Sequence, residues 1–390
     1  MTRYVVVGGT CGLAWAASLR GWMAELANGS PGSGSEVTML TLFLVLVPGT
    51  VVGALHGYAA RRHATQRPVQ RWLVLTPLVL ASALLDPAIF GALLRDGTGG
   101  GSLIVVLTAS AVGAALSRTG RTWPRVLLAV VAALGLLTML GMGELAAPLS
   151  SSRGLWVALF GFALVLLLGV AGVVLHRPLP SPIRARSWIA LGALAGFAWA
   201  AGLRGFMAQV MVRDGSTTTW SGTFLWVLAP GMVMGCLLGW SAYHWWHGGP
   251  DRMRWLVLSP FLFAAVLVPP LLTLDVGGMF EGGIGGGTIG VPAVALAGAY
   301  AVAGRRRSWR ATAGALFLSA VPIWVATSDD IGGPELAVGT PRGLWVALHY
   351  WSLLAVLSLA SAAALRITAR GARPDPTASE VRPTSEEHAW

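Results

Sequence analysis

The sequence predicts an all-α integral membrane protein, with about twelve transmembrane helices arranged as two parallel six-helix repeats. Three observations predict it: long apolar runs, the placement of arginine, and ordered sequence matches between the two halves. Hydrophobic residues make up 55% of the 390 residues, and charged residues make up only 11%. A water-soluble domain carries about 25% charged residues. We therefore expect the lipid bilayer to be the solvent and the main partner of this chain.

Twelve apolar runs approach the roughly 20 residues that a transmembrane helix needs. In the first half they cover residues 4–26, 38–60, 72–94, 102–118, 126–144 and 154–176. In the second half they cover residues 189–211, 223–246, 255–276, 288–305, 311–328 and 343–366. These runs define a first repeat (1–176), a cytoplasmic linker (177–188) and a second repeat (189–366). The tail 367–390 contains several prolines and acidic residues, and we expect it to be disordered and cytoplasmic.

Arginine placement predicts the orientation. All 27 basic residues are arginine, and 21 of them fall on the cytoplasmic side if the N-terminus is inside. This bias is the positive-inside rule, and it predicts a plasma (inner) membrane protein with both termini in the cytoplasm. The remaining six arginines are Arg20, Arg95, Arg153, Arg204, Arg213 and Arg342. The net charge of +11 is therefore a consequence of topology and does not indicate a nucleic-acid partner.

Five ordered matches predict an internal duplication. Residues 12–24 and 196–208 agree at ten of thirteen positions, and RGLWVAL at 153–159 recurs unchanged at 342–348. Between them lie three shorter matches: Pro48-Gly49 with Pro230-Gly231, WLVLTP (72–77) with WLVLSP (255–260), and a glycine run at 99–101 with one at 285–287. Because six spans is an even number, we expect both repeats to share one orientation about a pseudo-two-fold axis along the membrane normal.

This arrangement resembles that of the two halves of major-facilitator transporters. The resemblance is one of architecture alone. That family has a glycine-rich loop containing Asp and Arg between its second and third helices. Here the corresponding loop reads YAARRHATQRPVQR. Fold analogy by itself does not assign a function.

Four outer arginines are the main candidate ligand-binding residues. Arg20 and Arg204 occupy the matched LRG position of the repeat, about five to seven residues inside the first helix of each half, a depth of about 8–10 Å. Guanidinium groups suit carboxylate and phosphate ligands. The alternative is that each side chain reaches the headgroup region or pairs with a neighbouring acid.

Arg153 and Arg342 begin the last helix of each half. A cation near a helix N-terminus opposes the helix dipole, so each needs a partner. Glu144 and Glu335, in matched ELA segments, are the expected partners, and each pair would clamp an outer loop. The alternative is that all four arginines line one outward-facing anionic site.

A second candidate element is a break in the third helix of each half. Asp86 and Pro87 lie within the first of these helices, and Pro269 and Pro270 are their counterparts. Glycine runs follow, at Gly99, Gly100 and Gly101 and at Gly285, Gly286 and Gly287. Broken helices at matched positions of two repeats are the best sequence pointer to a transport site. The alternative is that each glycine run is a flexible outer loop. Asp86 and Glu25 are the carboxylates available for proton coupling.

The leading interpretation is a secondary transporter or exporter of a small anionic or amphipathic molecule, with an outward-facing site between the repeats. Two alternatives stay open: a non-catalytic membrane scaffold or immunity-type protein, and an envelope enzyme that modifies lipids. No compact nucleophile, nucleotide or metal motif is present, so the enzyme is the less favoured class. No cofactor or metal is predicted.

Overall fold

The computed structural model describes residues 2–28, 37–87, 90–91, 101–117, 122–176, 184–211, 218–272 and 284–367. Over these residues the chain is helical and contains no strand, which confirms the all-α class. Twelve long helices, numbered here in chain order, lie where the apolar runs predict them. They are Thr2–Ala27, Met39–Ala64, Arg71–Leu85, Gly101–Leu116, Thr122–Gly141, Ser152–His176, Ala185–Val210, Trp220–His247, Asp251–Leu267 with its continuation Val268–Leu272, Ile284–Ala303, Arg307–Gly332 and Pro341–Leu365.

Among the residues that the structure describes, the helices long and apolar enough to cross a bilayer number seven: helices 2, 5, 6, 7, 8, 11 and 12. Helices 5 and 11 bury only 17% of their most apolar window inside the protein. Their outward faces carry large aliphatic side chains such as Leu134, Leu137 and Leu318, each about 60% exposed. Exposed apolar surface on this scale is stable in lipid and not in water. The chain is therefore a multi-pass membrane protein.

Helices 3 and 9 are 3₁₀ helices over 15 and 17 residues. Such helices rarely exceed four residues, but their rise of about 2.0 Å per residue lets 15 residues span about 30 Å. That length matches the hydrocarbon core of a bilayer. Both contain a proline at the same place in the repeated WLVL motif, Pro77 and Pro260. A short apolar run therefore reaches across the membrane by adopting a tighter helix.

Helix 3 and helix 9, the third helix of each half, end differently. Helix 3 stops at Leu85, where Asp86 takes an extended conformation before Pro87. Helix 9 changes from 3₁₀ to α geometry at Val268 and stays helical through Pro269 and Pro270. The expectation of a break at the second proline pair is thus corrected: prolines fit the first turn of a helix, because the donors they lack have no partner there.

Glycines bring helix 1 against helix 2, and helix 7 against helix 8. A Cβ atom added at Gly53 would meet the carbonyl oxygen of Gly8, and one at Gly235 would meet that of Gly192. In lipid, such close backbone approach is the main source of helix association. Helices 1, 6, 7 and 12 then pack against one another at the centre of the bundle, where Trp156 is fully buried.

Two hydrogen bonds recur at matched positions of the sequence repeat. The indole of Trp15 donates to the carbonyl oxygen of Leu164 at 2.8 Å, and that of Trp199 donates to Leu353 at 2.9 Å. Each joins a first helix to a last helix across a buried interface. A buried indole N–H needs such an acceptor, so the two bonds fix the relative rotation of these helices.

Candidate functional site

The polar side chains collect at one end of the central four helices. Helices 1 and 7 finish at this end, and helices 6 and 12 begin there. We call it the outer end, after the orientation that the arginine pattern predicts. It holds the four candidate arginines and both carboxylates with which they form ion pairs.

Arg20 and Arg204 are each held by a tryptophan from the other half of the chain. The guanidinium carbon of Arg20 lies 5.4 Å from the ring centre of Trp345, and that of Arg204 lies 5.1 Å from Trp156. Both arginines are more than 90% buried, and both tryptophan rings are fully buried. A desolvated cation–π contact contributes about 2 kcal/mol or more. These crossed contacts orient both arginines inside the protein, next to the interface between the halves.

Glu25 is the buried carboxylate of the cluster. Its Oε2 accepts from Arg153 Nη2 at 3.2 Å, and its Oε1 accepts from Gln209 Nε2 at 3.2 Å. Arg153 also reaches the backbone carbonyl oxygen of Glu25 at 3.4 Å. Glu25 and Gln209 occupy equivalent positions, in the matched segments GWMAE and GFMAQ. The hydrogen bond between them therefore joins the two halves at corresponding residues.

Arg342 makes the matching set of contacts with a different acid. Its Nη2 donates to the backbone oxygen of Gln209 at 3.2 Å, and its Nη1 donates to Glu335 Oε2 at 2.9 Å. The side chain of Glu335 is 73% exposed, so this ion pair lies at the surface. Position 209 has an amide where position 25 has a carboxylate. Arg342 therefore forms its ion pair with Glu335, in the segment before helix 12.

The expected clamp between Arg153 and Glu144 is absent, and this corrects the prediction for the first half. Glu144 Oε2 instead accepts from the backbone N–H of Leu149 at 2.8 Å and holds its own loop. Arg153 crosses to helix 1 because the buried carboxylate of Glu25 is there. The corresponding clamp between Arg342 and Glu335 is present.

A further contact ties the segment before helix 8 to this cluster. Arg204 Nη2 donates to Thr218 Oγ1 at 3.2 Å, and Ser152 Oγ donates to the backbone oxygen of Thr218 at 2.7 Å. The cluster thus contains four guanidinium groups and two carboxylates, a formal charge of +2 among its described members. Guanidinium groups clustered at a membrane face favour an anionic ligand.

The described residues of the predicted helix break and of the glycine runs lie at the ends of helices. Asp86 is buried, 6% exposed, at the outer end of helix 3, and Pro87 is exposed. Gly101 is the first residue of helix 4, and residues 285–287 lie in the first turn of helix 10. Gly99 and Gly100 lie outside the described residues.

Sequence reasoning missed three participants: Gln209, Trp156 and Trp345. The signal was available, since both tryptophans belong to the identical RGLWVAL segments and Gln209 aligns with Glu25. It missed a buried polar pair as well, Ser18 Oγ and His349 Nε2 at 3.2 Å. The equivalent positions in the repeat are Gly202 and Phe160, whose side chains cannot form this hydrogen bond. The Ser18–His349 pair therefore has no equivalent at those two positions.

An apolar cavity of about 520 Å³ opens in the second half alongside this cluster. Helices 7 to 12 all contribute to its walls, and Phe206, Phe263, Val291, Ile323 and Trp324 are among the lining residues. The lining residues that carry a side-chain hydroxyl are Thr288, Thr327 and Tyr350. A cavity of this volume and character is typical of a small-molecule site.

No cluster of three or more His, Cys, Asp or Glu side chains that could hold a metal occurs among the described residues. Comparison with protein-family models, with curated proteins and with solved structures found no match.

Proposed function

We propose that this membrane protein is a secondary transporter or exporter of a small anionic or amphipathic molecule, which it binds at the outer end between its halves. The observation that carries the proposal is the cluster of Arg20, Arg204, Arg153 and Arg342 around the buried carboxylate of Glu25. Burying cations is costly, and guanidinium groups held by aromatic rings keep their planar edges in a fixed orientation. A carboxylate or phosphate would accept hydrogen bonds from these planar edges.

The proposal includes a duplicated architecture of two six-helix units, related by a pseudo-two-fold axis along the membrane normal. Matched contacts support it: the crossed arginine–tryptophan pairs, the two indole hydrogen bonds and the two glycine crossings all involve equivalent sequence positions. A two-fold arrangement places the arginine cluster on the axis. In transporters built from repeats, the substrate site lies at the interface between the repeats.

We further propose that the chain lies in the plasma membrane with both termini in the cytoplasm, on the basis of the arginine bias. Cysteines introduced one at a time test this orientation, after both native cysteines are replaced by serine. A cysteine at Ser308, an exposed position in the first turn of helix 11, should react with a membrane-impermeant maleimide only after the cells are opened. One at Ser151, before helix 6, should react in intact cells. The reverse pattern would contradict the proposed orientation.

The anion site is tested with Arg20→Gln and Arg204→Gln, singly and together. We expect wild-type membrane abundance and at least a tenfold loss of ethyl phosphate binding by the purified protein, because a hydrogen bond to a charged group contributes about 1.5–3 kcal/mol. Counterflow of labelled ethyl phosphate in proteoliposomes should fall in parallel. Arg252→Gln, an exposed arginine at the opposite end of the bundle, is the matched control.

A scaffold would give a different result. The same crossed contacts that orient the arginines also join the two halves, so a purely structural role predicts lost abundance and no ligand effect. Binding without counterflow, together with covalent turnover of a lipid phosphate, would favour the envelope enzyme. Unchanged ethyl phosphate binding in the double variant would contradict the anion site.

A further inference from the structure

We propose that the cavity of the second unit holds the hydrocarbon chain of an anionic amphiphile, whose charged head lies at Arg342. This inference rests on the proposed anion site and names the class of its ligand: a single-chain alkyl phosphate or long-chain carboxylate. The cavity is apolar along its walls, and it reaches the outer end, where Val210, Met211 and Ile331 line it.

The two units differ in sequence at the wall of this cavity. The segments GSLIV (101–105) and GTIGV (287–291) align, so Gly290 stands where the first unit has Ile104. Ile104 packs against the core of the bundle. A Cβ atom at Gly290 would have no neighbour within 4 Å, and the same is true at Gly287. The missing side chain leaves the space open.

Aromatic residues support the opposite wall. Phe206 stacks on Tyr350 with 5.2 Å between ring centres, and Trp324 lies 5.5 Å from each of them. In the first unit, glycine (Gly161) replaces Tyr350 and the ring of Trp22 fills the place next to it. Rigid rings therefore support this wall of the cavity in the second unit.

Charge complementarity determines the kind of occupant. Arg342 donates to the backbone oxygen of Gln209, the residue just before Val210 and Met211, which line the cavity at its outer end. Arg342 Nε is also buried and has no acceptor among the residues that the structure describes. Buried donors generally have a partner. A phosphate or carboxylate head at this position would accept from that atom, while the attached chain enters the apolar cavity.

The test compares ligands that share a head and differ in chain length. We expect the purified wild-type protein to bind dodecyl phosphate at least tenfold more tightly than ethyl phosphate. Gly290→Ile should remove most of that difference and leave ethyl phosphate binding unchanged, because it fills the chain site alone. Arg342→Gln should weaken both phosphates and leave dodecanol unaffected. Gly141→Ile is the matched control, since a Cβ added at Gly141, on helix 5 and outside the cavity, also has no neighbour within 4 Å.

Thermal unfolding of each variant shows whether it folds, and Gly287→Val serves as a second filling variant. Equal affinity of the wild type for dodecyl and ethyl phosphate would overturn the cavity inference. So would full dodecyl phosphate affinity in folded Gly290→Ile and Gly287→Val. If those results occur while Arg20→Gln and Arg204→Gln still abolish ethyl phosphate binding, the proposed anion site survives without the chain site. If no phosphate binds the wild type, both fail.

Discussion

Replacing Gly53 or Gly235 by leucine is expected to prevent assembly of the bundle. At each position the added Cβ would overlap a backbone carbonyl oxygen of the neighbouring helix, and a backbone atom cannot move aside as a flexible side chain can. Helices 1 and 2, or 7 and 8, would have to separate, at a cost above the roughly 1–3 kcal/mol of ordinary overpacking. We expect little monodisperse protein after extraction, measured by fluorescence-detected size exclusion.

Gly141→Leu provides the control for this prediction. Gly141 is also a helical glycine, but no atom lies within 4 Å of an added Cβ. The substitution adds the same apolar volume at a surface position, so abundance and elution volume should match the wild type. A normal elution profile for Gly53→Leu would show that helices 1 and 2 do not cross at these glycines.

Most of the fold could be predicted because it depends on local composition. Apolar runs determine where the helices lie, and each of the twelve helices overlaps a predicted run. The 3₁₀ geometry of helices 3 and 9 could not be predicted in this way. Fifteen apolar residues with one proline fit an α-helix or a 3₁₀ helix, and packing against neighbouring helices decides between them.

The site was predictable as a set of residues but not as a set of partners. The repeat singled out Arg20 and Arg204, yet their tryptophans lie on the last helix of the opposite half, 325 and 48 residues away in sequence. Proximity in sequence suggested Glu144 as the partner of Arg153, and the actual partner is Glu25. A partner that comes from another helix is set by tertiary packing, which spacing along the chain does not encode.

The cavity illustrates a third limit. Gly290 looks like one more glycine in a glycine-rich segment, and only the alignment with Ile104 shows that a side chain is missing. Whether the space closes depends on how far its neighbours relax. Here Tyr350 and Phe206 hold the walls apart, so the space persists.

Exchanging Glu25 and Gln209 is the sharpest test of the proposed two-fold relation. Glu25→Gln alone removes the buried carboxylate that accepts hydrogen bonds from Arg153 and Gln209. We expect a loss of about 2–4 kcal/mol in stability, below the full cost of breaking a buried ion pair because the side chain of Arg153 is 35% exposed. Thermal and denaturant unfolding of the purified protein measure it.

Gln209→Glu alone should cost less. The new carboxylate repels Glu25, but Arg342 already lies beside position 209 and offsets part of that repulsion. Glu335→Gln is the surface control: its side chain is 73% exposed, so removing that charge should change stability by less than about 1 kcal/mol. A large effect of Glu335→Gln would mean that Arg342 depends on the loop acid.

The double variant Glu25→Gln/Gln209→Glu should recover most of the stability lost in Glu25→Gln. In it the carboxylate and the amide exchange sides: Arg342 faces the acid, Arg153 faces the amide, and the hydrogen bond across the interface runs in the opposite direction. The coupling energy between the two substitutions should then be favourable by about 1–3 kcal/mol, since residues in one hydrogen-bonded network are not additive. Additive or worse losses in the double variant would contradict equivalence of the two halves at this site, because only a symmetric environment can accept the exchanged pair.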